Sequence, residues 1–171
     1  MPVFLDFEAS SLNKASYPIE VGFVRADGTG EAYLIAPPPD WTDWDSAAER
    51  LHGLSRTRLF NEGLSPQAVV ANLLPLFAAD RVFASAPSWD GHWLSMLLRA
   101  AGLPRHLVRL SDSDIAHAEA AGLAPGPEAD ALIAEVRASL NAAPVVHRAL
   151  PDARRDYALY CALRDRRRPG S

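Results

Sequence analysis

The first part of the chain has the alternating apolar and polar positions of β-strands. Residues 2–8 carry acidic side chains at alternate positions of an apolar run, and residues 17–25 and 30–35 are rich in strand-forming residues. The turn residues Asp27 and Gly28 separate the last two segments. The pattern therefore predicts three strands, of which the second and third form a hairpin.

Helical spacing replaces this alternation after the proline-rich tract at 36–40. Residues 45–51 predict a short capped helix, and a second helix begins at 65–66 and leads into a buried strand at 81–85. This order of strand, helix and strand predicts a crossover connection within one sheet.

Helix start and stop signals predict the remaining elements. They are a helix at 87–101, a short strand at 107–110, and helices at 111–121, 128–140 and 152–164. Pro151 suits the first position of the last helix. The whole pattern predicts an α/β fold, a mixed sheet of about five strands flanked by helices on both faces.

Composition narrows the class of protein. With 171 residues, 49% hydrophobic and 22% charged, we expect a single domain over 1–171, with a core at about 2–165 and a short basic C-terminal tail. No run of about 18 apolar residues exists to cross a bilayer, and the early acidic residues do not fit a signal peptide. We therefore expect a cytoplasmic protein with no membrane partner. A lone cysteine, Cys161, excludes an internal disulfide.

The charge balance bears on nucleic-acid binding. A formal net charge of -4 argues against a broad basic face that grips long duplexes, whereas a short or single-stranded nucleic acid at a small site is compatible. Every basic residue except Lys14 is arginine, which suits phosphate contacts, although genome composition produces the same skew.

Candidate chemistry begins in the first strand. Because side chains alternate along a strand, Asp6 and Glu8 point to the same face, where two negative charges need either a cation or open solvent. Asp90 lies at a helix start, either near a ligand or as an acid favoured by the helix dipole. Asp152 lies in the first turn of the last helix, and His147 just before it either accepts a proton from water or is packed or solvated.

Together these four carboxylates and the histidine predict a shared cleft at strand ends and helix starts. Hard oxygen ligands suit Mg²⁺ or Mn²⁺, and two such ions stabilise the attacking and the leaving oxygen of a phosphoryl displacement. The other histidines have no spacing that forms a metal cluster, so we expect surface or packing roles for them. They are His52, His92, His106 and His117.

Three segments resemble the motifs of the DEDDh 3′-to-5′ exonucleases, relatives of the polymerase proofreading subunit, ribonuclease T and oligoribonuclease. The segment FLDFEASSL is similar to the first motif, VFASAPSWDGHWL to the second and HRALPDARRDYALY to the third, and they run from residue 4 to 160. The resemblance implies a ribonuclease H-like fold and release of nucleoside 5′-monophosphates from the 3′ ends of single-stranded RNA or DNA.

The resemblance also implies residue roles. Asp6, Glu8 and Asp152 would bind two Mg²⁺ or Mn²⁺ ions, with Asp90 completing the shell directly or through water, and His147 would deprotonate the attacking water. By the same resemblance, Phe7, Ala9 and Leu12 would contact the terminal nucleotide. Apart from the resemblance, Trp89 either stacks on a base or faces a core, and Arg148 either binds a phosphate or lies on a solvated helix surface. Small family members that process RNA are often homodimers, so a homodimer is expected by analogy.

Two departures from the family pattern concern substrate binding. The common Thr-Thr-Gly after the first motif is Ala9-Ser10-Ser11, and Ala86 stands where the second motif often has asparagine.

Two alternatives stay open. Leu12 is either a wedge beside the last base or a core leucine. The alternative function is a noncatalytic nucleic-acid-binding or regulatory module on the same fold, whereas the intact carboxylates and histidine favour an active enzyme.

Overall fold

A central strand with two different faces organises the fold. The computed structural model describes residues 1–79, 81–140 and 147–167. Its strands are β1 (Pro2–Ala9), β2 (Pro18–Val24), β3 (Gly30–Leu34), β4 (Arg81–Ala84) and β5 (Ser111–Asp112). Its helices are α1 (Ser46–His52), α2 (Arg56–Glu62), α3 (Pro66–Ala79), α4 (Pro87–Ala100), α5 (Ser113–Ala121), α6 (Pro127–Leu140) and α7 (Ala149–Arg167).

The five strands form one mixed sheet in the order β3-β2-β1-β4-β5. Strand β1 pairs antiparallel with β2 and parallel with β4, and β2 and β3 form the predicted hairpin. The parallel step from β1 to β4 is the predicted crossover, which places β1 in the middle of the sheet. The predicted α/β class, with a mixed five-stranded sheet, is confirmed.

Alternation along β1 divides the core into two layers. Val3, Leu5 and Phe7 belong to the largest buried cluster, together with side chains from α3 and α4. Phe4 instead packs against Phe83 and against Ala116 of α5. Because side chains alternate in a strand, Asp6 and Glu8 continue the face of Phe4, which is the face that α5 and α7 cover.

The start of α7 lies directly against β2 at Gly22. A Cβ atom at this position would lie 2.6 Å from the Cα of Leu150 and would also overlap the backbone of Ala149. The absence of a side chain at Gly22 therefore allows the close approach that places the first turn of α7 over the sheet.

The structure differs from the predicted elements at three places. Residues 107–110 are not a strand: Val108 and Leu110 pack partly buried against the core, and the ladder to β4 begins only at Ser111. Helix α2 was not predicted, although the Ser55 hydroxyl accepts a hydrogen bond from the Arg58 N–H at its start. Helix α7 begins at Ala149, so Pro151 occupies its third position rather than its first.

No helix in the described ranges combines the length and the apolar character needed to cross a membrane.

Candidate active site

Three carboxylates from the two ends of the chain meet above the sheet. Asp6 and Glu8 extend from alternate positions of β1, and Asp152 extends from the first turn of α7. One oxygen atom of each lies within 4.8 Å of the other two, close enough to bind a common cation. The structure therefore brings together three of the four predicted metal ligands.

Asp90, the fourth predicted ligand, is buried in the first turn of α4. The Ala86 N–H donates to its Oδ2 at 3.3 Å, and the Phe7 N–H also donates to this carboxylate. The pairing of β1 with β4 ends at Phe4, so Phe7 lies beyond the ladder and its amide can bind an acid from α4. The separation of these strands thus opens the cleft and holds Asp90 beside it.

Burial and mutual repulsion raise the pKa values of these acids. Burial followed by the charge of Asp90 raises the pKa of Asp6 to about 10. Burial followed by the charge of Asp152 raises the pKa of Glu8 to about 8, and burial raises the pKa of Asp90 to about 7. The pKa of Asp152 is also raised, chiefly by burial, although its partner Arg155 opposes this shift. A divalent cation would relieve this repulsion, and oxygen ligands are those that Mg²⁺ and Mn²⁺ prefer, so the residues present fit the predicted metal.

His147 lies two residues before α7 and lines two cavities beside the carboxylate cluster. It lines a cavity of about 450 Å³ together with Asp6 and Asp152, and also a second cavity of about 220 Å³ with the same two acids. A predicted base therefore stands where both cavities meet the carboxylates. The neighbouring residues 141–146 lie outside the described residues.

Three of the residues that are predicted to contact the substrate line the smaller cavity. Phe7, Ala9 and Leu12 contribute to its wall beside the carboxylates. Leu12 is 74% exposed, which excludes the alternative that it is a core leucine. We call this space of about 220 Å³ the terminal pocket.

The two other predicted contacts lie elsewhere. Trp89 lines a separate neighbouring cavity and not the terminal pocket. Arg148 forms a two-pronged ion pair with Glu20, through Nε at 2.8 Å and Nη2 at 2.5 Å. Glu20 is buried and also accepts the Ala149 N–H at 3.1 Å, so this pair holds the start of α7 onto β2.

Sequence patterns did not single out Asp156, which lies on the same face of α7 one turn after Asp152. Its carboxylate lines the larger cavity with Asp6, and the Ser113 hydroxyl hydrogen-bonds to it. Burial raises its pKa, and its charge in turn raises the pKa values of Asp6 and Asp90. The i, i+4 spacing from Asp152 was the available signal for a fifth acid at this site.

His52 also joins the terminal pocket, although the sequence indicated only a surface or packing role. Its Nδ1 accepts the Leu54 N–H at 3.0 Å, so the ring proton of the neutral form is on Nε2. This Nε2 is buried and has no hydrogen-bond partner among the described residues. Burial lowers the pKa of the ring, which favours that neutral donor form.

Comparison with known proteins identifies the fold. No protein-family model matches the sequence, and no curated protein matches it. Solved structures of E. coli exonuclease I do match. Its complex with a dA16 oligonucleotide superposes with a TM-score of 0.71 at 18% identity, covering 98% of this chain and 41% of that chain.

Two further structures agree with this result. The zinc-bound form of the complex of exonuclease I with single-stranded DNA gives a TM-score of 0.70 at 17% identity, covering 96% of this chain and 40% of that chain. The metal-free form gives 0.65 at 16% identity, with 96% and 41% covered. This chain therefore spans about two fifths of the length of these proteins. At such identities the likeness establishes the fold, which is ribonuclease H-like.

Proposed function

We propose that this chain is a metal-dependent 3′-to-5′ exonuclease that releases nucleoside 5′-monophosphates from the ends of single-stranded nucleic acid. The observation that carries the proposal is the convergence of Asp6, Glu8 and Asp152 within 4.8 Å on a fold shared with exonuclease I. The matching exonuclease I structures contain single-stranded DNA, which supports a single-stranded substrate.

Four acids hold the metal in this proposal. Asp6, Glu8 and Asp152 bind two Mg²⁺ or Mn²⁺ ions, and Asp90 completes the shell directly or through water. When bound, two such ions polarise the phosphate and stabilise charge on both the attacking and the leaving oxygen. The hydrogen bonds of Ala86 and Phe7 to Asp90 hold its carboxylate in place before the metal arrives.

The remaining residues orient the substrate and move a proton. His147 accepts the proton of the attacking water at the border of the carboxylate cluster. The terminal pocket holds the last nucleotide against Phe7, Ala9 and Leu12, and His52 forms part of its wall. A direct contact of Arg148 with substrate stays a prediction, because Arg148 is paired with Glu20 here. A homodimer and a cytoplasmic location also stay predictions.

A gel time course with 5′-labelled single-stranded RNA and DNA of equal sequence tests the proposal. Wild type is compared with Asp6→Asn, His147→Ala and the exposed-acid control Asp40→Asn, in Mg²⁺, Mn²⁺ and EDTA. We expect shortening from the 3′ end that needs the metal. The loss of a general base lowers turnover by about 10²–10⁴-fold, so His147→Ala should fall in this range. Changing an outer-shell partner of a metal costs about 10–100-fold, so Asp6→Asn, a direct ligand, should lose at least about 100-fold.

The same experiment separates the noncatalytic alternative. If wild type leaves both strands intact under every metal but binds them, the protein is a nucleic-acid-binding module and the proposed enzyme is wrong. If Asp40→Asn loses as much activity as Asp6→Asn, the loss reflects general charge and not the carboxylate cluster. Comparison of the RNA and DNA rates also ranks the two substrates.

A further inference from the structure

A third cavity, which we call the outer cavity, lies beside the terminal pocket and has its own lining residues. Lys14, Ser88, Trp89 and His92 surround a space of about 440 Å³, at the loop after β1 and the first turns of α4. Trp89 is 38% exposed, although it directly precedes the buried Asp90. A tryptophan that leaves this much of its ring in water offers an apolar face to a partner.

The exposed ring of Trp89 is held in place from below. Its indole stacks on that of Trp93, with the ring centroids 5.6 Å apart and the planes inclined by 30°. Trp93 is buried and donates its Nε1–H to the Ser16 Oγ at 3.0 Å. A ring fixed in this way loses little further freedom when a ligand stacks on it.

The two indoles connect this cavity to the carboxylate cluster. Trp93 lines the terminal pocket together with Asp6 and Glu8, whereas Trp89 lines the outer cavity. An aromatic pair therefore leads from the proposed place of the last nucleotide outward to the surface. The outer cavity thus lies beside the proposed active site, with the stacked indoles between the two spaces.

The polar groups of the outer cavity suit an anion. Lys14 is the only lysine of a chain whose net charge is -4, and it lies here with the exposed Ser88 and His92. An ammonium, a hydroxyl and an imidazole N–H all donate to phosphate oxygens, and no carboxylate is among the described lining residues. An aromatic face beside phosphate donors is the arrangement that binds single-stranded nucleic acid.

We propose that this cavity binds the nucleotide next to the 3′-terminal one. Its base stacks on Trp89, and its phosphate is held by Lys14 with Ser88 or His92. A base within a duplex is already stacked on both faces, so the subsite selects unpaired 3′ ends of at least two nucleotides. This inference rests on the proposed exonuclease function and adds a substrate requirement to it.

The test compares two substrates that differ in this nucleotide. The p-nitrophenyl ester of thymidine 5′-monophosphate has only a terminal nucleotide, and water cleaves it to the monophosphate and nitrophenol. A single-stranded oligothymidylate has the next nucleotide as well. Base stacking on an aromatic ring contributes about 1–3 kcal/mol, so Trp89→Ala should lower the ratio of kcat/KM for the oligonucleotide to that for the ester by about 5- to 150-fold.

Three further variants make the result specific. Trp89→Phe keeps an aromatic face and should retain most of the ratio. Phe60→Ala removes another exposed aromatic residue, from α2, and should leave both rates unchanged. Lys14→Met removes one phosphate contact and should reduce the magnitude of the slope of log KM against log salt by about 0.7.

Each outcome has one meaning. If wild type cleaves neither substrate, the proposed function is wrong. If wild type cleaves both and Trp89→Ala lowers both rates equally, or lowers neither, the outer subsite is wrong while the proposed function stands. If thermal unfolding shows that Trp89→Ala has a damaged fold, the salt dependence of Lys14→Met decides instead, and a slope equal to that of wild type shows that the outer subsite is wrong.

Discussion

The carboxyl group of Asp6 holds its proton far more tightly in the folded protein than in the unfolded chain. Its pKa rises from 3.8 to about 10 because of burial and the neighbouring acids. Between these two values the folded state binds more protons than the unfolded state, so the free energy of unfolding falls as the pH rises. At neutral pH the buried Asp6 therefore lowers the free energy of unfolding of the metal-free protein, compared with an uncharged residue at this position.

Asp6→Asn should accordingly stabilise the metal-free protein at pH 7.5 and remove its stabilisation by metal. Wild type at 100 times the dissociation constant of Mn²⁺ gains about 2.7 kcal/mol, equivalent to about 5–10 °C in Tm for a chain of this size. We expect the variant to melt above wild type in EDTA and below it in saturating Mn²⁺, as measured by calorimetry. Identical Tm shifts with Mn²⁺ in both proteins would contradict the assignment of Asp6 as a ligand; Asp40→Asn is the control.

Glu20 shows how one residue acquires its role from a partner far along the chain. It lies directly opposite Glu8 in the β1–β2 ladder, where two like charges repel. Arg148 pairs with Glu20 and also lowers the pKa of Glu8, which opposes the rise caused by burial. One guanidinium thus offsets this repulsion and fixes the start of α7.

Strand β1 and helix α7 are the two elements that build the carboxylate cluster, and their closeness depends on β2. The Glu20 pair and the missing side chain of Gly22 both lie where α7 crosses that strand. Asp152 follows three residues after Ala149, so any displacement of the helix start moves this carboxylate away from Asp6 and Glu8. The position of Asp152, a proposed metal ligand, is therefore set by backbone contact between α7 and β2.

Gly22→Ala should displace the start of α7, because the new methyl group would overlap the backbone of Ala149 and Leu150. Overpacking of a core costs about 1–3 kcal/mol, and the displaced Asp152 should weaken Mn²⁺ binding as well. Denaturant unfolding and a Mn²⁺ titration measure the two effects.

The matched control is Gly91→Ala in α4, where an added Cβ meets nothing within 4 Å. Alanine is favoured over glycine in a helix by about 1 kcal/mol, so this variant should keep or gain stability. If Gly22→Ala is as stable as wild type and binds Mn²⁺ equally well, the close approach does not position the ligand.

The acids act together although they come from distant parts of the chain, because the fold brings the end of β1 and the first turns of α4 and α7 close to one another. Because their pKa values are raised, a metal that binds as proposed would displace protons that the cluster holds. Glu8, with a pKa of about 8, and Asp90, with a pKa of about 7, release these protons within the pH range of most assays.

Metal affinity should therefore increase with pH between about 6 and 9, by up to about tenfold per pH unit for each proton displaced. Isothermal titration with Mn²⁺ in buffers of different ionisation enthalpy measures both the affinity and the number of protons released. We expect net proton release at pH 7, decreasing toward pH 9 as the acids ionise. An affinity that is constant over this range would show that the acids are already ionised without metal.

The sequence by itself determined the parts of this protein that depend on local spacing. The period of two in 2–8 placed Asp6 and Glu8 on one face, and helix start signals placed Asp90 and Asp152 in first turns. The motif resemblance then implied a ribonuclease H-like fold, which the structure and its likeness to exonuclease I confirm.

Tertiary structure alone decided which distant groups meet. Two contacts join segments that are far apart in the sequence, so no periodic pattern predicts them: the hydrogen bond from Phe7 to Asp90 and the ion pair of Arg148 with Glu20. The position of Trp89 outside the terminal pocket has no signal in the sequence either. Local spacing sets the direction of a side chain, whereas its partner depends on strand order, on where a ladder ends and on how closely a helix approaches the sheet.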